Sequence, residues 1–374
     1  MRRTRYLVAI AVAALCSAAV ARGDVAELVS ALSGDSAEAR HHAFEHADKY
    51  GPEAIIAVAA LLDSDRPGVV YAARNALEMI AGAATAREDT RKAASNALTV
   101  AALATKNRDP LLRLLAYVGD AEAIPALANL LVKAPESFDA ALHAIENIGV
   151  HARRANDTDT TGVVCETLLT HLARSEGRAR TAVINALGAV GHPRAVDSLI
   201  DELRARGPSA DAAAQALGYI GDLKAWDPLW EAFERHGSGV ALEACLRIAE
   251  NQPDARAVKL YTRMLDQSTP KAGARRDAAP GDPRVLCAAL RGIGKTATSN
   301  KALKTLLPYL DAERADVYGA AFEAIAGLPG DNVTRALLKE TRGASPARKA
   351  ALQEILEIRG ASASTTPPET GIEE

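Results

Sequence analysis

Residues 180–203 read RTAVINALGAVGHPRAVDSLIDEL, a pattern of two apolar segments on either side of a glycine. Apolar residues recur at helical spacing before Gly191 and recur again after it, at Ala195, Val196, Leu199 and Leu203. Spacings of three and four residues place these side chains on one face of a helix, and a glycine permits the left-handed turn that ends a helix. The stretch therefore predicts a helix, a tight turn and a second, antiparallel helix.

The last six residues of this first helix form a motif that recurs along the chain, which we call the phrase. It consists of a small residue, an aliphatic residue, two variable positions, Ile or Val, and Gly. Degenerate copies end at residues 81, 249 and 329, and successive copies are 28 to 45 residues apart. A recurrence of this length is the signature of a solenoid, in which each helix pair buries its apolar face only against neighbouring pairs. We expect a helix-ending turn at the glycine of each clear copy: Gly119, Gly149, Gly191, Gly221 and Gly294.

These units resemble HEAT repeats, and in particular the short repeats of phycobilin lyase subunits. Residues 180–203 and 211–233 are most similar to that pattern, and the resemblance covers residues 37–356. It implies an all-α fold, a right-handed α-solenoid of about eight to nine HEAT-like helix-turn-helix repeats, within residues 24–360. Because such arrays serve many unrelated tasks, the resemblance implies a fold and not a function.

The N-terminal residues have the order of a secretory signal peptide. Three arginines precede the apolar residues 7–15, and the small-residue motif Ala19-Val20-Ala21 follows. The sequence predicts a signal peptide over residues 1–21, cleavage after Ala21, and a periplasmic or extracellular product. The apolar stretch is shorter than the ~20 residues of a membrane-spanning helix, and we expect no span in the mature chain.

The net charge, the cysteines and the composition of the C-terminal residues exclude some classes of protein and of structure. The net charge of −3 argues against general nucleic-acid binding, which needs clustered Lys and Arg. Cys165, Cys245 and Cys287 occupy apolar helical positions without C-x-x-C spacing, which favours isolated buried thiols. Residues 361–374 are small, polar and acidic and contain two adjacent prolines, so we expect a disordered tail.

Two long intervals between copies of the phrase contain predicted insertions. Residues 151–161 are polar, and residues 267–284 are rich in Pro and Gly. Insertions in solenoids project as loops, often on a binding face. Each carries an arginine pair, so partner contacts are expected at Arg153, Arg154, Arg275 and Arg276; a solvated variable loop is the alternative at both places.

One histidine pair is a weak metal-site candidate. His42 and His46, four residues apart, share a helix face, which is the spacing of a two-histidine clamp. A hydrolytic zinc helix would read H-E-x-x-H, whereas here Glu45 directly precedes the second histidine. A solvent-exposed polar helix is therefore the favoured interpretation.

The remaining motifs point away from catalysis. Residues 292–296, GIGKT, are similar to the end of a phosphate-binding loop, but Ala289 stands at the required first glycine and the segment closes a helix. We expect no nucleotide and no cofactor. The sequence favours an exported, non-catalytic scaffold for an unidentified protein partner. The alternatives are an enzyme or cofactor-handling accessory factor related to the lyase-type proteins, and a structural component of an envelope assembly.

Overall fold

The computed structural model describes residues 22–251, 283–296 and 300–360, together with the single positions 258, 261, 262 and 265. The predicted signal peptide, the predicted tail, and Arg275 and Arg276 lie outside the described residues. All regular structure in the described ranges is helical, which confirms the predicted all-α class. Among the described residues, no helix combines the length and the apolar character that crossing a bilayer requires.

The chain divides into two compact units, Met1–Val240 and Ala241–Glu374. The first unit contains α1 (Arg22–Ser33), α2 (Ala37–Glu45), α3 (Ile55–Ala59), α4 (Pro67–Ala84), α5 (Glu88–Ala104), α6 (Asp109–Val118), α7 (Ile124–Lys133), α8 (Phe138–Arg154), α9 (Thr158–Leu172), α10 (Gly177–Val190), α11 (Val196–Ala205), α12 (Ala210–Ile220) and α13 (Trp226–His236). Helix α14 (Gly239–Asn251) crosses the boundary, and the second unit continues with α15 (Pro283–Thr296), α16 (Asn300–Leu306), α17 (Ala315–Gly327), α18 (Asp331–Glu340) and α19 (Pro346–Ile358).

The helices of the first unit pack as a two-layered array. Helices α4, α6, α8, α10 and α12 contact one another in succession and form what we call the first-helix layer; α5, α7, α9, α11 and α13 pack behind them. The aliphatic residue of the phrase is fully buried on each of the five first helices: Leu77, Leu115, Ile145, Leu187 and Leu217. The apolar residues that follow Gly191 are buried too, and Trp226, which stands five residues after Gly221 as Val196 does after Gly191, lies in the core. Helical repeats therefore stack through the stripes that the sequence displays.

Three of the five glycines end a helix as predicted, two of them with left-handed backbone, and the prediction is wrong at Gly149 and Gly294. Gly191 and Gly221 adopt left-handed backbone, with φ of 72° and 77°, and end α10 and α12. Gly119 ends α6 with extended backbone, at φ −60° and ψ 154°. Gly149 lies inside α8 and Gly294 inside α15.

Close helix packing explains the glycines that make no left-handed turn. A Cβ on Gly149 would lie 2.7 Å from Val190 Cγ2, and one on Gly294 would lie 2.6 Å from Ala324 Cα. A Cβ on Gly119 would lie 2.8 Å from Ile148 Cδ1 on α8 and would also overlap the carbonyl oxygen of Leu115 in its own helix. These glycines bring a neighbouring helix or turn close to the backbone, so the same residue type serves two different steric needs.

The predicted loop insertion at residues 151–161 is wrong. Helix α8 continues to Arg154 and α9 begins at Thr158, so only three residues connect them. The connection turns at Asn156, with φ of 57°, and the Asp157 side chain caps α9 by accepting from Thr160 N. The interval is long because α8 and α9 have 17 and 15 residues, against 10 each for α6 and α7. Of the second predicted insertion, residues 267–282 lie outside the described residues, and α15 begins at Pro283.

The three cysteines among the described residues are buried. Cys165 and Cys287 are free thiols, as predicted, and Cys245 is buried as well. Burial raises the pKa of the Cys165 thiol to about 11, so this side chain packs as a small apolar group and not as a nucleophile.

Candidate interaction surface

The solvent-facing side of the first-helix layer carries large exposed side chains; we call this side the first-helix face. Tyr71 on α4, Tyr117 on α6 and Tyr219 on α12 are 63%, 72% and 51% exposed. Exposed tyrosines contribute a large contact area with few rotatable bonds, and Tyr and Arg are enriched where protein partners bind. The face therefore has the side-chain chemistry of an interface.

A groove opens on this face near its N-terminal end, across α4, α6 and α8. It has a volume of about 400 Å³ and is lined by Arg74, Glu78, Arg113, Tyr117 and His143, among others. Arg74 Nε lies 3.2 Å from Glu78 Oε1, so those two charges neutralise each other. Arg113 makes no ion pair within the described part of the chain. The groove therefore offers one uncompensated guanidinium beside an exposed aromatic ring.

A second groove lies between α10 and α12, next to the end of α8. Its volume is about 490 Å³, and its walls carry Arg153, Asn185, Gln215 and Tyr219. The floor is made of small residues: a Cβ on Gly188 would lie 2.7 Å from Ala216 Cα, so α10 and α12 meet closely there. Because the residues at the base of the groove are small and those on its sides are polar, the groove has room for the backbone of a bound ligand.

Of the four predicted partner-binding arginines, the structure places one in a groove. Arg153 lines the second groove and lies against Gly191, but it belongs to the last turn of α8 and not to a loop. Arg154 is exposed in the same turn and lines neither groove. Arg275 and Arg276 lie outside the described residues, and their role stays a prediction.

His42 and His46 lie at the end of α2, and their contacts are with residues of the same helix. The rings of His42 and His46 stack with centroids 4.3 Å apart, and His46 Nδ1 lies 2.9 Å from the His42 carbonyl oxygen. His41 Nε2 lies 3.0 Å from Glu45 Oε1. In the described ranges no third His, Cys, Asp or Glu joins the pair to complete a metal site.

A third groove belongs to the second unit. Its volume is about 420 Å³, and α15 and α17 contribute Cys287, Arg291, Lys295 and Asp316 to its lining. Arg291 Nε lies 2.9 Å from Glu323 Oε2. The GIGKT segment forms the end of α15, and the residues directly before it, from Pro283, are helical. The segment therefore closes a helix, as the sequence predicts.

Sequence reasoning searched the insertions and missed the first-helix face. Tyr117, Tyr219, Arg113, Asn185 and Gln215 occupy the variable positions of the phrase or the position directly before it. The buried positions of the phrase set the register of every first helix, so the exposed positions beside them carried a readable signal. Comparing the residue types at the same exposed position of each copy of the phrase would have revealed this face.

Comparison with known proteins finds similar chains among solved structures. No family model matches the chain, and no curated protein matches it. The chain is similar to an engineered protein whose crystal structure a structural genomics consortium determined, with 20% identity and a TM-score of 0.46, over 91% of this chain and 99% of that one. It is also similar to a chain from work on a phosphorylation switch that controls the interaction between cadherin and β-catenin, with 12% identity and a TM-score of 0.35, over 90% of this chain and 94% of that one.

Proposed function

We propose that this protein is an exported, non-catalytic scaffold whose first-helix face binds a protein partner. The observation that carries the proposal is the exposure of three tyrosines on one layer of a stacked helical array. Stacked helix pairs provide long continuous surfaces, and aromatic side chains on such a surface supply binding energy when a partner excludes water from them. The two grooves and the arginines beside them add shape and charge to the same face.

Two carboxylates of the first unit have lowered pKa values with structural causes. Hydrogen bonds from Thr160 lower the pKa of Asp157, which caps α9. Hydrogen bonds from Arg180 and Ser209 lower the pKa of Glu202, which joins two elements of the array. Groups that are shifted by caps and ion pairs stabilise a fold, whereas a catalytic acid or base has its pKa moved toward the working pH.

Export is supported by the order of charge, apolar residues and small residues over residues 1–21. A reporter enzyme that is active only outside the cytoplasm, fused after residue 30, tests this part. We expect activity with the native N-terminus, and none when residues 7–15 are replaced by polar residues. N-terminal sequencing of the exported chain should begin at Arg22; a first residue of Met1 on the exported chain would contradict the predicted cleavage.

Binding is tested by affinity capture of the full-length exported protein from its own compartment. The wild type should recover one stoichiometric protein partner, and the double variant Tyr117→Ala, Tyr219→Ala should lose it. The matched control is Leu103→Ala, Val132→Ala, which removes two exposed apolar side chains from the second layer. Recovery of no stoichiometric protein, or equal loss from both variants, would overturn the proposal.

A further inference from the structure

One register of the first-helix face holds only polar, hydrogen-bonding side chains. The residue directly before the small residue of the phrase is Asn75, Arg113, His143, Asn185 and Gln215 on α4, α6, α8, α10 and α12. We call these residues the polar column. Equivalent positions on successive stacked repeats lie side by side, so the column runs across the helices. No member is acidic and none is aliphatic.

Two members of the polar column offer free amides. Asn185 and Gln215 are exposed and make no hydrogen bond within the described residues. By contrast, Asn75 donates to the Tyr71 carbonyl oxygen at 2.7 Å. A primary amide has donors and an acceptor side by side, which matches the N–H and C=O of an extended peptide backbone. A helical ligand has those backbone groups paired internally and would leave both amides unmatched.

The positions four residues further on form a wall beside the polar column. They are Met79, Tyr117, Asn147, Ala189 and Tyr219. Tyr117 and Tyr219 rise at the two grooves, while the small Ala189 and the floor residues Gly188 and Ala216 lie between α10 and α12. A chain lying along the column would therefore contact amides beneath it and aromatic rings on one side.

The charges of the face indicate the sign of the ligand. Arg113 and Arg153 have no ionic partner among the described residues. Two acids of this layer have partners: Asp139 pairs with Arg178 at 3.1 Å, and Asp109 accepts from Ser137 at 2.8 Å in the first turn of α6. Glu146 on α8 has no ion pair among the described residues; it is half-buried, and burial raises its pKa, which disfavours its charged form. Asp211, in the first turn of α12, lies 3.4 Å from Ser238 Oγ. Two unpaired cations on the surface of a chain with net charge −3 favour an acidic ligand.

The length of the ligand follows from helix spacing. Packed helices lie about 8–10 Å apart, and an extended chain advances about 3.4 Å per residue. The three intervals from α6 to α12 therefore correspond to roughly nine residues of extended chain. A segment of this length spans both grooves.

We infer that the first-helix face binds an extended acidic peptide segment of about nine residues across α6, α8, α10 and α12. Asn185 and Gln215 hydrogen-bond the backbone of the segment, and Arg113 and Arg153 contact its carboxylates. This inference rests on the proposed scaffold function and specifies the chemistry of its partner.

The experiment selects nine-residue peptides from a random display library on the purified full-length chain. Selected sequences should be rich in Asp and Glu, and a selected peptide should bind the wild type with an affinity that falls as salt rises. Asn185→Ala, Gln215→Ala should weaken that binding about tenfold, as expected for two lost hydrogen bonds. Arg113→Ala should weaken it at low salt, whereas Lys133→Ala, the loss of an exposed cation on α7, should not.

N-methylation of the peptide backbone should abolish binding if the amides contact N–H and C=O groups. A selection that returns basic or amphipathic helical sequences, or that returns none, overturns the inference, as does indifference to Asn185→Ala, Gln215→Ala. The scaffold proposal is tested independently of the peptide experiment. If the peptide experiment fails but affinity capture still recovers a partner that depends on Tyr117 and Tyr219, the face binds something other than an extended acidic segment.

Discussion

Arg180 and Glu202 form an ion pair that joins α10 to α11: Arg180 Nη2 lies 2.6 Å from Glu202 Oε2, and Glu202 is only 7% exposed. Arg180 Nη1 also donates to the Leu172 carbonyl oxygen at 2.9 Å, at the end of α9. Ser209 Oγ donates to the other carboxylate oxygen from the residue before α12. One pair of charges thus connects the ends of four consecutive helices.

Arg180→Ala should destabilise the first unit by about 2–4 kcal/mol, because it leaves a buried carboxylate without its charged partner. Thermal or denaturant unfolding followed by circular dichroism measures the change. Arg178→Ala is the control: it removes an exposed pair with Asp139, whose side chains are 88% and 72% exposed, and should cost under about 0.5 kcal/mol. Equal effects of the two substitutions would show that the buried pair has no special role.

Glu202→Gln should make the stability difference from wild type depend on pH. The Arg180 guanidinium lowers the pKa of Glu202 from its ordinary value of 4.5, so the carboxylate stabilises the folded state fully above that value. The contribution is lost as the pH falls through the lowered pKa. Unfolding curves at pH 7 and at pH 3 should therefore show a larger difference between the two proteins at pH 7. A difference that grows toward low pH would contradict the assignment.

Gly149→Ala should destabilise the array even though alanine is the better helix former. The added Cβ would lie 2.7 Å from Val190 Cγ2 and 2.9 Å from Val164 Cγ1, and we expect a loss of about 1–3 kcal/mol from overpacking. Gly82→Ala is the matched control, since Gly82 is also helical and nothing lies within 4 Å of its Cβ position. That variant should be stabilised by about 0.5–1 kcal/mol. Denaturant unfolding of both variants measures the midpoints, which should fall for Gly149→Ala and rise for Gly82→Ala.

Gly221→Val should destabilise through backbone strain alone. At φ 77° a residue with a Cβ is strained by about 1–2 kcal/mol, and open space surrounds the position, so no packing clash contributes. Gly207→Val provides the comparison, because Gly207 also faces open space but has no positive φ. An unchanged melting temperature for Gly221→Val would contradict the left-handed turn at the end of α12.

Cys165 should resist alkylation until the chain unfolds. Burial raises the pKa of its thiol to about 11, so little thiolate forms at neutral pH and no reagent reaches it. Mass spectrometry after iodoacetamide treatment at pH 8 should find Cys165 unmodified in the native protein and modified in denaturant. Rapid modification in the native state would mean that α9 opens locally.

The helical class and the repeat can be predicted from the sequence alone, because a helix that buries one face needs apolar residues at a fixed spacing. Leu187, Leu217 and the stripe after Gly191 lie where that spacing places them. The role of each glycine was decided only by the tertiary structure. Gly191 turns the backbone and Gly149 admits Val190, and both needs are met by the same missing side chain.

The tertiary structure also decided where residues 151–154 belong and which face is open. A polar run that begins at His151 is compatible with a loop or with the exposed last turn of a long helix; in the structure α8 continues to Arg154 and packs against α10. Asn185 and Gln215 are unremarkable polar residues in sequence. Stacking places them in one column, because equivalent positions of successive repeats become neighbours only when the repeats pack together.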